Sequence, residues 1–363
     1  MNLVNQKKEY LELILNPTER NIEQLSYRYT LFCANIKKFL PLINPIEYYK
    51  MFQDLLYYQY SSDIEQNSLD YLDASKIINK SNINLNNYEN EYPIIFATFH
   101  LGSYRLINSL LYEKGFKIVL IIDESVFTSQ LTKFIDTLNN VLRPKENSDL
   151  VILNVNDRTS IFKLKQLISE GYVMSVYLDG NKSINNKKQD FSKGYIKIPF
   201  LNNKIFVKNG VGMLAKFLNA KIVPVVAYRD DLDTNFIEFG SEISINDYKN
   251  KEEFSIKSIE LCYKKLEEKL LLYPTQWECW LYIHDWFIRD FNVPYSNIKN
   301  LKKEFNTERY NTFIVKECYF IFDLYSYQSF PIEKKLFEAL KNNKYGEIEI
   351  NLQNELIQKN ILI

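Results

Sequence analysis

The chain of 363 residues is poor in histidine, glycine and cysteine, with 2 His, 9 Gly and 4 Cys. Cys33, Cys262, Cys279 and Cys318 are scattered and form no Cys-x-x-Cys pair. With only His100 and His284 to add, they do not compose a zinc site, so no metal is expected and reduced thiols in the cytoplasm are. Net charge is also lacking: 45 Lys and Arg balance 45 Asp and Glu. No field favours nucleic acid, and none is expected as a partner. Apolar runs such as Ile222 to Tyr228 fall short of the roughly 20 residues that span a bilayer. The segment Met1 to Glu9 has no apolar signal core, so export is not expected.

What is abundant is apolar and aromatic. The chain is 46% hydrophobic, with 27 Tyr and 24 Phe, enough for large cores or an apolar groove. Eight of the nine glycines lie between Gly102 and Gly240. In a chain so poor in Gly and His, each of them points to a local reason.

Three stretches differ in pattern. Residues 1–88 read as helical, with apolar faces at Leu11 to Leu15, Tyr27 to Phe39 and Ile46 to Tyr60, broken at Pro17, Pro41 and Pro45. Such faces suit a packed helical cap or a membrane surface. Residues 89–295 alternate short apolar runs with helical segments: Ile94 to Phe99, Lys117 to Ile122, Leu150 to Val155, Val173 to Leu178 and Lys221 to Tyr228 read as strands. A helix is expected over Ser125 to Asn140, and an amphipathic one over 255–273. Continuous apolar strands separated by helices predict an α/β fold with a largely parallel central sheet flanked by helices. Residues 296–363 read as a small α+β module. It has two strands within Lys316 to Gln328 around Asp323, then helices over Pro331 to Asn342 and Glu347 to Leu362.

Ligands of parallel sheets sit beyond the carboxyl ends of the strands. His100, Asp123 and Asp179 each follow a strand end. An imidazole there suits a general base that deprotonates a hydroxyl or amine, and a satisfied structural histidine is the other reading of the same residue. Gly102 allows close approach of a substrate. His284 lies in a segment with all three tryptophans, Trp277, Trp280 and Trp286, and reads as a packed residue.

Three blocks in order resemble the lysophospholipid acyltransferase superfamily, nearest to the lauroyl and myristoyl acyltransferases of lipid A synthesis. The first is His100-Leu-Gly-Ser-Tyr104. The second is Asp179-Gly-Asn, then Gly194-Tyr-Ile-Lys-Ile-Pro-Phe200 and Phe206-Val-Lys-Asn-Gly210. The third is Pro274-Thr-Gln-Trp277 with Trp280-Leu-Tyr-Ile-His284. The resemblance spans about residues 90–290. It implies that His100 activates an acceptor hydroxyl or amine, which attacks a fatty acyl thioester on acyl carrier protein or coenzyme A. The thioester is then a co-substrate, and no cofactor is expected. Backbone N–H groups near Gly102 would stabilise the oxyanion. Gly102, Ser103, Tyr104, Arg105, Asp179, Gly180, Lys193, Gly194 and Phe200 would bind substrate.

The chain departs from that pattern at one place. The family's acid follows its histidine by five positions, and Arg105 stands there. Asp123 and Glu124, just past the second strand, are the expected replacements, and Arg105 is then suited to a substrate carboxylate or phosphate. A catalytically altered binding or scaffold protein is the alternative. Residues 296–363 resemble the winged-helix leader-peptide-binding domains of modified-peptide biosynthesis, which implies a precursor peptide as partner. Glycolipid or lysophospholipid acylation with peripheral membrane contact is a further alternative.

Overall fold

The computed structural model describes residues 3–86, 93–122, 146, 148–154, 157, 159–180, 191, 194–291, 294 and 304–363. The expected helix over Ser125 to Asn140 lies outside them. The chain gathers into two compact units, Met1–Tyr10 with Asp54–Glu278, and Leu11–Gln53 with Cys279–Ile363. Each is discontinuous in sequence.

The first unit holds a seven-stranded sheet. Its strands are β1 (Lys76–Asn79), β2 (Ile94–Thr98), β3 (Lys117–Ile122), β4 (Asp149–Asn154), β5 (Val173–Tyr177), β8 (Lys221–Arg229) and β9 (Asn235–Phe239). The order is β1-β9-β8-β2-β5-β3-β4, and β8 through β4 are mutually parallel. β9 runs antiparallel to β8, and β1 parallel to β9. The expected fold class is therefore the observed one. β1 and β9 escaped the sequence reading; β1 is mostly exposed and carries no continuous apolar run.

Residue alternation shows how the sheet is covered. Ile94, Phe96, Val223, Val225, Ile237 and Phe239 join one cluster with Leu106, Ile107, Leu110 and Leu111 of α5 (Arg105–Glu113). Their neighbours Ile95, Ala97, Ile222, Val226 and Glu238 are equally buried and point to the opposite face. Glu238 is there held by Lys265 and Lys269 of a second, long helix (Lys251–Leu270), both at 2.6 Å, and by Lys80 at 2.7 Å. That helix starts where Asn250 Oδ1 accepts the Glu253 N–H at 2.8 Å. The block from Gly194 to Gly210 forms a hairpin, β6 (Tyr195–Phe200) and β7 (Asn203–Lys208), turned by Leu201 and Asn202 with φ of 45° and 59°.

The second unit contains α2 (Glu19–Phe39) and a three-stranded antiparallel sheet of β10 (Tyr310–Val315), β11 (Cys318–Asp323) and β12 (Ser329–Ile332). Thr18 caps α2 by accepting the Asn21 N–H. The two strands expected within Lys316 to Gln328 are displaced. Lys316 and Glu317 form the tight turn at φ of 48° and 63°, without the glycine or asparagine that would have marked it. A helix over Lys334–Lys341 and another over Ile350–Gln358 pack Leu340 and Leu356 against Tyr310 and Ile321. Among the described residues, no helix is long and apolar enough to cross a membrane.

Candidate active site

The parallel register of β2 and β5 places the two central side chains. Thr98 pairs with Tyr177, and Leu178 N–H donates to Thr98 O at 2.9 Å, so the pairing continues past both strands. Two residues further along each strand stand His100 and Asp179. The imidazole Nδ1 lies 2.7 Å from Asp179 Oδ1. Asp179 Oδ2 accepts the His100 backbone N–H at 2.9 Å and the Trp277 Nε1–H at 2.8 Å. The Asp179 side chain is wholly buried, and that of His100 keeps 22% of its surface exposed.

Burial alone would push the Asp179 carboxyl up, but His100, Trp277 and the backbone donor hold it below its usual range. For His100, burial disfavours the imidazolium; the facing carboxylate outweighs this, and the pKa lies above its ordinary value. An ionised Asp179 at Nδ1 fixes the tautomer with the proton there and leaves the Nε2 lone pair for a substrate proton. Tyr104 meets the imidazole edge-on at 4.7 Å between ring centres, and Tyr177 lies against it at 4.8 Å. Tyr177 Oη accepts from Asn108 at 3.0 Å, and Asn108 in turn accepts from Ser175 at 2.6 Å, which holds that wall in place.

The segment Gln276 to Glu278 clamps the histidine loop from behind. Gly102 N–H donates to Gln276 O at 3.0 Å, and Glu278 N–H to His100 O at 3.1 Å. Gln276 also pairs with the backbone of Arg229, accepting its N–H and donating to its O, both at 2.8 Å. Gly102 has φ of 54°, and a Cβ there would stand 2.9 Å from Ala227 O and from Tyr228 Cα. The close approach it permits is to β8, not to a substrate. Its N–H is also committed, which removes it from the expected oxyanion donors.

Ser103 closes a buried polar knot. Its hydroxyl donates to Glu65 at 2.6 Å and accepts from Arg229 Nη2 at 2.8 Å. Glu65 also pairs with Arg229 and Lys7. Lys7 and Glu65 come from helices at the start of the chain, which nothing in the local sequence connects to the His100 loop.

The expected residues therefore sort as follows. His100, Tyr104, Arg105 and Asp179 come together. Asp179, expected to line a groove, faces His100 instead. Asp123 and Glu124 lie outside the described residues, as does Lys193. β5 stands between β2 and β3, so the strand that precedes Asp123 is not the neighbour of the one that carries His100. Ser103 is engaged internally. Phe200 is fully buried against Tyr263 and Trp277, and so is not an open groove wall. Gly180 and Gly194, between β5 and β6, are exposed. Sequence reading missed Trp277 as a donor to Asp179, Gln276 as the clamp, and Glu65. The Pro-x-Gln-Trp block was the available signal for the first two.

His284 belongs to the second unit and is packed as expected. It is 8% exposed, stacks on Tyr327 and has Asn35 Nδ2 3.4 Å from its Nδ1. Burial lowers its pKa to about 4, with Asp285 only partly opposing.

No protein-family model and no curated protein matches the chain. Among solved structures, it is similar to a 1-acyl-sn-glycerophosphate (LPA) acyltransferase, PlsC, from Thermotoga maritima. The identity is 13%, the match covers 68% of this chain and 95% of that one, and the TM-score is 0.32.

Proposed function

We propose that the chain is an acyltransferase that moves a fatty acyl group from a thioester donor, acyl carrier protein or acyl-CoA, to a hydroxyl or amine. The observation that carries this reading is the contact of His100 Nδ1 with the buried Asp179 carboxylate just past two neighbouring parallel strands. His100 Nε2 takes the acceptor proton as the nucleophile attacks the thioester carbonyl. The carbon–sulfur bond then breaks, and the imidazolium returns the proton to the leaving thiolate. Asp179 holds the ring and stabilises its charged form. The N–H groups of Tyr104 and Arg105, without partners among the described residues, replace that of Gly102 as donors to the oxyanion.

The scaffold alternative drew its force from Arg105 in the place of the family's acid. Asp179 supplies a carboxylate to His100 from another strand, and this favours the enzyme. A peptide acceptor is supported by the three-stranded sheet of the second unit, whose strand β12 pairs only with β11 among the described residues and leaves Phe330 exposed. An added peptide strand would fit there. We place the reaction in the cytoplasm; acylation of a glycolipid or lysophospholipid at a membrane is the competing acceptor reading, which liposome sedimentation tests. The decisive experiment on the chemistry is His100→Ala with acyl transfer followed by mass spectrometry. Transfer is expected to fall by about 10²–10⁴-fold, and undiminished transfer would overturn the mechanism.

A further inference from the structure

Lys7 and Glu65 are buried charges that this chemistry does not use. Lys7 lies on α1 (Leu3–Leu15), and Glu65 ends α3 (Tyr48–Glu65). Lys7 is 6% exposed, and the Glu65 side chain is wholly buried. The Lys7 ammonium pairs with Glu65 Oε1 and stands 4.3 Å from the centre of the Tyr71 ring. The other carboxylate oxygen faces the His100 loop. Oε2 meets Arg229 Nη2, accepts the Ser103 hydroxyl at 2.6 Å, and has Asn235 Nδ2 at 3.4 Å. Among the described residues, the two oxygens therefore divide cleanly, Oε1 to Lys7 and Oε2 to the groups around Ser103.

Arg229 holds the His100 loop at two places. Its Nη2 donates to the Ser103 hydroxyl at 2.8 Å, and its backbone reaches the Gly102 N–H through Gln276. The hold at Ser103 depends on how the Glu65 carboxylate is turned, because Oε2 has to stay in reach of the hydroxyl. Lys7, on the opposite oxygen, fixes that turn. Adhesion of α1 to α3 does not need the charge pair. Tyr10 of α1 stacks on Tyr60 of α3 at 3.9 Å between ring centres and 14° between planes. A buried ion pair offsets its own desolvation poorly, and apolar residues of similar volume would join two helices as well. What the ion pair adds is a fixed orientation of the carboxylate.

We infer that Lys7 is a positioning residue for the His100 loop: it orients the Glu65 carboxylate so that Ser103, and with it His100, is held where the imidazole takes the acceptor proton. The inference rests on the acyl-transfer reading for the reaction that this geometry serves. The path has two side-chain contacts, ammonium to carboxylate and carboxylate to hydroxyl, and then follows the backbone from Ser103 to His100. A carboxylate held on one oxygen only can rotate about its last bond. Ser103 then loses its acceptor for part of the time, and the loop samples positions in which the imidazole is displaced. Small displacements matter there, since about 1 Å of misplacement can cost about 10²-fold in rate.

The test is a double-mutant cycle on the full chain, with Lys7→Met, Ser103→Ala and the two combined, and Lys7→Arg as the conservative variant. Each is read by acyl transfer, by urea unfolding and by the histidine ring signals in NMR, of which the chain has only two sets. Lys7→Met and Ser103→Ala should each lower kcat about tenfold, the size of one lost hydrogen bond to a charged group, with KM unchanged. Each should also move the His100 signals and leave those of His284 in place. Lys7→Arg should restore both readouts. Because both variants break one path, the combined variant should lose no more than either alone. Lys7→Gln, neutral and shorter, takes the place of Lys7→Met if the latter does not fold. The proposal is overturned if the Lys7 variant only lowers the unfolding midpoint while kcat and the His100 signals of the folded protein stay at wild type. It is also overturned if the two losses multiply in the combined variant. The ring signals need no turnover. If the wild type transfers no acyl group, the transfer reading fails, and the His100 signals across the same cycle still decide for or against the positioning role.

Discussion

The chain's two histidines sit in two units and are both poorly exposed, yet their environments drive them in opposite directions. Around His100 stand the Asp179 carboxylate at 2.7 Å and, further off, the charges of Glu278 and Arg105. Around His284 stand aromatic rings and Asn35, with Asp285 at 3.7 Å and Arg289 as the charged groups that face it. Burial lowers the proton affinity of both. Only His100 has a carboxylate aligned on a ring nitrogen, and only there is the penalty overcome. One well-placed acid separates a basic histidine from a neutral packing residue.

The largest way to break this contrast is Asp179→Asn. It should cut acyl transfer by about a thousandfold or more, because the ring loses its tautomer and the imidazolium its counter-charge. A general base acts when neutral, so the rate should rise with pH through the raised His100 pKa. In Asp179→Asn that limb should move to lower pH. A pH–rate profile with its acid limb unmoved would dissociate Asp179 from the base.

Next in size is the polar knot behind the site. Glu65→Gln leaves Arg229 and Lys7 buried with less than their counter-charge, and should cost about 3–5 kcal/mol in urea unfolding. A loss within error would mean that the knot is replaceable. Gly102→Ala comes third. Its Cβ meets backbone on β8, which cannot swing aside as a side chain can, so about 1–3 kcal/mol is expected with a matching loss of His100 order. An alanine variant with wild-type stability would show that the loop has room to shift.

The smallest expected effect sharpens the comparison from the other side. His284→Phe keeps an aromatic ring in an aromatic pocket, and should change stability by less than about 1.5 kcal/mol and leave transfer intact. In the wild type, NMR titration should find His284 neutral down to about pH 4 while His100 protonates above the ordinary histidine value. The linkage signs differ accordingly. Stability from His100 is present below the ordinary histidine pKa and is lost as pH rises through its folded value. The His284 contribution is lost as pH falls from the ordinary value towards about 4. Parallel titration of the two rings would erase the distinction.

Much of the scaffold was legible because strands buried on both faces must be continuously apolar. Ile94 to Thr98, Lys117 to Ile122 and Val173 to Tyr177 announce themselves in this way, and β2 delivers His100 to the expected end. Exposed or half-exposed strands do not. β1, the β6–β7 hairpin and β12 carry mixed residues, and the β6–β7 and β10–β11 turns use Leu201, Asn202, Lys316 and Glu317 without glycine. That Asp179 would face His100 was hidden for a different reason. Asp123 and Asp179 both follow strands, and the sequence contains no statement of which strand neighbours β2.

The sequence by itself determined the α/β class, the strand that ends at His100, and the burial of His284. Local periodicity is enough for these, because a strand's faces and a histidine's apolar neighbours are written within a few residues. Only the tertiary structure decided that β5 lies beside β2, so that Asp179 meets His100 across 79 positions. It also decided that Trp277 and Gln276 brace that pair, and that Arg229 is bound by Glu65, Asp233 and Ser103. Those outcomes depend on strand order and on ion pairs between segments distant in the chain, which no local pattern encodes.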